Sequence, residues 1–144
     1  MQNKLSNNWI DNLAFDAEID GFHLTLDVSE AAGGNNRGPR PKPLLLAALS
    51  GCTGMDVVSI LKKMRVENYK LTIDMDADVV DEHPKVYSEI RMQFIFTGED
   101  LPKDKIISAV QLSADKYCAV SAMLKKAVNI KTLILINEQE VYND

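Results

Sequence analysis

Residues 44–65 constrain this chain more than any other stretch: Leu-Leu-Leu-Ala-Ala-Leu-Ser-Gly-Cys-Thr-Gly-Met-Asp-Val-Val-Ser-Ile-Leu-Lys-Lys-Met-Arg. Apolar side chains at Leu44, Leu45, Ala48, Leu49, Cys52, Met55, Val58, Ile60 and Leu61 carry helical spacing. The closing Lys62, Lys63 and Arg65 suit the negative end of a helix. At about 22 residues and ~1.5 Å of rise per residue, the helix would run roughly 33 Å. Its first half is apolar on more than one side, so it needs cover from more than one direction, in a core or an interface. Ser50, Thr53, Asp56 and Ser59 interrupt the apolar run, which argues against a bilayer span. Cys52 lies between Gly51 and Gly54, small residues that admit a close neighbour.

A chain of 144 residues is long enough to bury a core, and we read residues 1–144 as one domain. The net charge of −5 and pI near 5.0 argue against non-specific binding to nucleic acid or to anionic membranes. Met1 to Asn8 carries no apolar signal core, so a cytoplasmic location is expected. A reducing compartment would keep the two cysteines, Cys52 and Cys118, as thiols. They are then either small core residues or chemistry.

Leu13 to Val28 reads as a hairpin turning at Asp20-Gly21. That register pairs Ile19 with Phe22, Ala17 with Leu24, Phe15 with Leu26 and Leu13 with Val28, all on one apolar face. Glu18 falls opposite His23, which makes His23 a solvated cross-strand partner rather than a catalyst. Trp9, ahead of the hairpin, is read as packing. Glu30 to Pro43 holds three glycines and three prolines and cannot form regular structure. Arg37, Arg40 and Lys42 make it locally basic, either as a solvated connector or as a loop delivering a cation to the helix it enters.

From Leu71 to Val79 apolar residues alternate with Asp74, Asp76 and Asp78. The aspartate spacing resembles a calcium loop, but Val79 and Lys85 occupy the positions of its glycine and bidentate glutamate, so calcium is rejected. Asp81 to Pro84 turns the chain, with His83 exposed, and Val86 to Phe96 returns with Arg91 expected opposite Asp74. A helix follows from about Pro102 through Cys118, with Ala119 to Val128 able to continue it. Ile130 to Asn137 closes as a buried strand before a polar tail. Strands, long helix, hairpin, helix and strand together give an α+β fold.

A reactive cysteine must be a thiolate, and that requires positive potential nearby. Cys52 is about two turns into its helix, beyond reach of the dipole of the first turn. A cation must come from elsewhere, and the loop holding Arg37 and Arg40 runs directly into this helix. Arg37 is the better candidate, because Gly38 lets the backbone turn inward while Arg40 sits between prolines.

The segment Pro43 to Val58 around Cys52, with Lys116-Tyr-Cys-Ala-Val-Ser-Ala 66 positions after it, resembles the OsmC/Ohr superfamily of osmotically inducible and organic-hydroperoxide-resistance proteins. The similarity runs from about Leu13 to Asn137 and is closest to the OsmC-like redox-protein branch. It implies antiparallel sheets wrapped around a long central helix in an intertwined homodimer. It also implies a stress-response thiol peroxidase, in which Cys52 attacks an organic hydroperoxide and Cys118 resolves the sulfenic acid as a disulfide. A dithiol reductant would restore the enzyme, with no metal or other cofactor. The chain departs from the family pattern ahead of the cysteine helix, where Lys42 and Pro43 replace a glutamate that holds an arginine at the thiolate. No arginine precedes Arg37. The Arg37–Arg40 loop is therefore expected to be mobile, with Cys52 only partly ionised at neutral pH. Two functions stay open: the peroxidase, and a dimeric module that binds a small apolar or thiol-reactive ligand without efficient turnover.

Overall fold

Three strands begin the chain: β1 (Leu5–Asp11), β2 (Ala14–Ile19) and β3 (Phe22–Leu26) form an antiparallel sheet in that order. The turn between β2 and β3 places Asp20 at φ 51° and Gly21 at φ 83°. Two successive positive φ angles match the twist of a tight hairpin, and Asp-Gly tolerates both. The register is as expected for Phe15 with Leu26, Ala17 with Leu24, Glu18 with His23 and Ile19 with Phe22. Leu13 and Val28 fall outside the strands. His23 bonds diagonally through Nδ1 to Asp16 Oδ2 at 2.8 Å, and Trp9 is largely exposed with its Nε1 donating to the Asn12 carbonyl at 2.9 Å.

This computed structural model describes Met1–Asp144 and comprises two units, Met1–Ala47 and Ala48–Asp144. In the first unit, the Gly/Pro-rich segment is ordered around one buried carboxylate. Asp27, 2 % exposed, accepts the backbone N–H groups of Val28 at 2.8 Å, Asn35 at 3.2 Å and Arg37 at 3.1 Å. Gly38 passes so close to Thr25 that an added Cβ would stand 1.9 Å from its carbonyl oxygen. The expectation of a mobile loop is corrected here, because Asp27 gathers the donors that regular structure would otherwise satisfy.

Helix α1 (Leu44–Lys63) starts in the first unit and runs on into the second. Its most apolar window has a mean hydropathy of 1.8, long and apolar enough by composition to cross a membrane. Its buried residues are Leu49, Thr53, Val57 and Leu61, a single stripe at four-residue spacing. The second unit's sheet runs β4 (Lys70–Val79), β5 (Tyr87–Thr97), β6 (Asn129–Ile136), β7 (Gln139–Asn143). Ile90, Met92, Phe94 and Phe96 of β5 are its buried row. Gly54 of α1 approaches this sheet closely, since a Cβ there would meet the Ile73 side chain at 2.9 Å.

Three features differ from the sequence reading. The sheet is mixed: β5 and β6 run parallel, because α2 (Lys103–Leu112) and α3 (Ala119–Leu124) make the crossover between them. Arg91 stands opposite Asp76, not Asp74: Val80 N–H to Val86 C=O closes the turn one residue beyond the assumed register, and the irregularity at Asp78/Val79 adds a second. The polar tail is strand β7, turned at Asn137 and Glu138 with φ of 49° and 68°.

Candidate functional site

The second unit brings both cysteines together. On α1, Cys52 and Asp56 are four residues apart and share a face. The other wall is the crossover between α2 and α3, which is not one helix. After Leu112 the backbone widens into a π-helical turn over Ser113–Tyr117, closed by Cys118 N–H to Ser113 C=O at 2.9 Å. Such turns are uncommon and gather at functional sites. Cys118 then leaves helical geometry at φ −74°, ψ 104° and caps α3, its Sγ accepting the Ser121 N–H at 3.3 Å. The expectation that Cys118 lies within a helix is corrected accordingly.

Cys52 Sγ, Cys118 Sγ and a carboxylate oxygen of Asp56 all lie within 4.8 Å of one another, and both cysteines are free thiols. Cys118 is 3 % exposed, whereas Cys52 is half-buried and open to a reagent. Thr53 Oγ1, itself buried, donates to Cys118 Sγ at 3.4 Å. Ser113 Oγ donates to Asp56 Oδ2 at 2.9 Å, fixing that carboxylate. The Val120 N–H donates to the Cys52 sulfur, which by itself favours the thiolate. A hydrogen bond with Cys118, burial, and the neighbouring Cys118 and Asp56 together outweigh it and push the Cys52 thiol up. Beside Thr53 and Ser121 lies a cavity of about 50 Å³ lined by neither cysteine. It has room for a few waters and not for an organic substrate.

Of the two arginines expected to assist, Arg40 is exposed. The Arg37 side chain reaches Asp11 at 2.5 Å and Asp27 at 3.5 Å, all within the first unit. The carboxylates that fix this arginine come from β1 and from the residue just after β3, not from the slots at Lys42 and Pro43. The sequence reading took Thr53 and Asp56 only as polar breaks in the apolar run and gave no site role to them, to Ser113 or to Ser121. Only Asp56 left a signal there, its four-residue spacing from Cys52.

The profile of the OsmC-like protein family matches residues 33–133. Protein YhfA of Escherichia coli (strain K12) is 37% identical over 123 residues, covering 85% of this chain and 89% of YhfA. A hypothetical protein from Aquifex aeolicus VF5 superposes with a TM-score of 0.84 at 28% identity, covering 95% of this chain and 97% of its own. The organic hydroperoxide resistance protein OhrB of Bacillus subtilis shares the fold at a TM-score of 0.64 and 17% identity, over 94% and 98% of the two chains.

Proposed function

The chain belongs to the OsmC-like protein family, and on that premise we propose that it reduces organic hydroperoxides with Cys52 as the attacking thiol and Cys118 as the resolving thiol. The observation that carries this reading is the pair of sulfurs within 4.8 Å of each other, one half-buried and one buried. The Cys52 thiolate attacks the outer peroxide oxygen, the O–O bond breaks, and the alkoxide leaves to be protonated as an alcohol. Cys52 is then a sulfenic acid. Cys118 displaces its hydroxyl as water, and the S–S bond forms. Two thiols and one hydroperoxide thus become a disulfide, an alcohol and water. An S–S bond needs about 2.05 Å, so the sulfurs must close by less than about 3 Å. An external dithiol then returns both thiols.

Arg37, ahead of Arg40, is our proposed thiolate-stabilising cation. In its favour, Asp11 and Asp27 hold it in one geometry, the part a glutamate plays in the family pattern. We further propose that residues 1–144 act as one domain, in a homodimer in the cytoplasm. A second reading, a module that binds a thiol-reactive ligand without efficient turnover, draws on the raised Cys52 thiol, which leaves little thiolate at neutral pH. Consumption of an organic hydroperoxide with a dithiol reductant separates the two. Wild type is expected to turn over and Cys52→Ser to lose all thiol-dependent consumption. Equal rates in the two proteins would refute the peroxidase reading.

A further inference from the structure

From the convergence of Cys52, Asp56 and Cys118 we propose that the reduced protein is also a site for a thiophilic divalent cation of the zinc class, and that metal binding and disulfide formation exclude one another. Three ligand atoms within 4.8 Å of one another come from two separate elements, α1 and the start of α3. With Zn–S bonds of about 2.3 Å in a tetrahedral site, two sulfurs stand about 3.8 Å apart, inside the observed limit. Two thiolates and a carboxylate suit zinc among the biological divalent ions, because calcium and magnesium prefer oxygen throughout.

The surroundings fit the same role. Three groups that turn anionic on deprotonation face each other, and one cation would neutralise their mutual repulsion. Ser113 Oγ, fully buried, orients the Asp56 carboxylate at 2.9 Å, as outer-shell donors do for metal ligands. The N–H groups of Val120 and Ser121 point at the two sulfurs. Three protein ligands leave a fourth position, on the half-buried side formed by Cys52 and Asp56, for water or a small ligand. Binding releases the thiol protons to solvent. When an organic hydroperoxide oxidises the metal-bound pair, two thiolates, one hydroperoxide and two protons give a disulfide, an alcohol, water and the freed cation.

The inference requires reduced thiols and not peroxide turnover, so it stands or falls apart from the peroxidase reading. The test uses Zn²⁺ and Co²⁺ alone with the full chain, reduced or oxidised to the disulfide with diamide. Reduced wild type is expected to bind a single ion per chain with proton release, and Co²⁺ to show a thiolate-to-metal charge-transfer band. Asp56→Asn removes a charged ligand and is expected to weaken binding by at least the roughly 10- to 100-fold that loss of an outer-shell partner costs, while keeping that band. The diamide-treated protein is expected to lose stoichiometric binding altogether. This last comparison needs no substitution and decides the matter if a variant fails to fold. Absence of stoichiometric binding by the reduced chain, or binding undiminished in the disulfide form, overturns the proposal.

Discussion

At Cys52 two influences oppose each other: the Val120 N–H favours the thiolate, while Cys118, burial and Asp56 favour the thiol and win. The alkylation rate of Cys52 is therefore expected to rise with a midpoint above the ordinary thiol value of about 8.5. Replacing Asp56 with Asn removes a negative neighbour and is expected to lower that midpoint. Arg37→Ala removes the proposed cation and is expected to raise it. An unchanged midpoint in both variants would contradict the electrostatic account. The sign for stability follows from the same shift. A thiol with a raised folded pKa stabilises the reduced protein fully below about 8.5, and that stability is lost as pH climbs through the raised value. Thr53 acts on the other sulfur. Thr53→Val removes its buried hydrogen bond to Cys118 Sγ and is expected to cost about 0.5–1.5 kcal/mol in urea unfolding.

Among the elements, the loop over residues 27–39 shows how far a sequence carries. Its glycines and Pro39 argued against regular structure, and only a three-residue 3-10 turn, Glu30–Ala32, forms there; yet nothing local revealed that Asp27 would be buried and bind Val28, Asn35 and Arg37. That depends on the loop folding back on the end of β3. The tight approach of Gly38 to Thr25 gives a direct check. Gly38→Ala places a Cβ against a backbone carbonyl that cannot step aside, and is expected to destabilise by about 1–3 kcal/mol or more in chemical denaturation. The β2–β3 hairpin and α1 were legible because turn residues and apolar period agreed at each. β1 and β7 were not, since Leu5–Asp11 and Gln139–Asn143 mix polar and apolar residues without clean alternation, and become strands only through their neighbours. The break at Cys118 was hidden for another reason. The apolar period from Ile106 to Met123 runs straight across it, and only the π-helical turn shifts the phase. The thiol pair was legible as a family resemblance, Asp56 only as a four-residue spacing from Cys52, and Ser113 and Ser121 only in three dimensions.

For the whole molecule, large apolar side chains stay uncovered in a single chain. In the first unit Phe22 is 78% exposed and Trp9 66%; on α1, Met55 is 75% and Leu45 46%. Exposed apolar side chains of this size suit a partner surface, and a second copy is the simplest one. Sedimentation at micromolar concentration is expected to show a dimer, and a monomer would contradict that proposal. The two-cysteine chemistry is the central claim, and one titration tests it most directly. The reduced protein is treated with one equivalent of an organic hydroperoxide, its free thiols are counted, and the cross-link is located by peptide mass spectrometry. The account predicts that Cys52 and Cys118 disappear together into one intrachain disulfide. Loss of a single thiol, or retention of both, would contradict it.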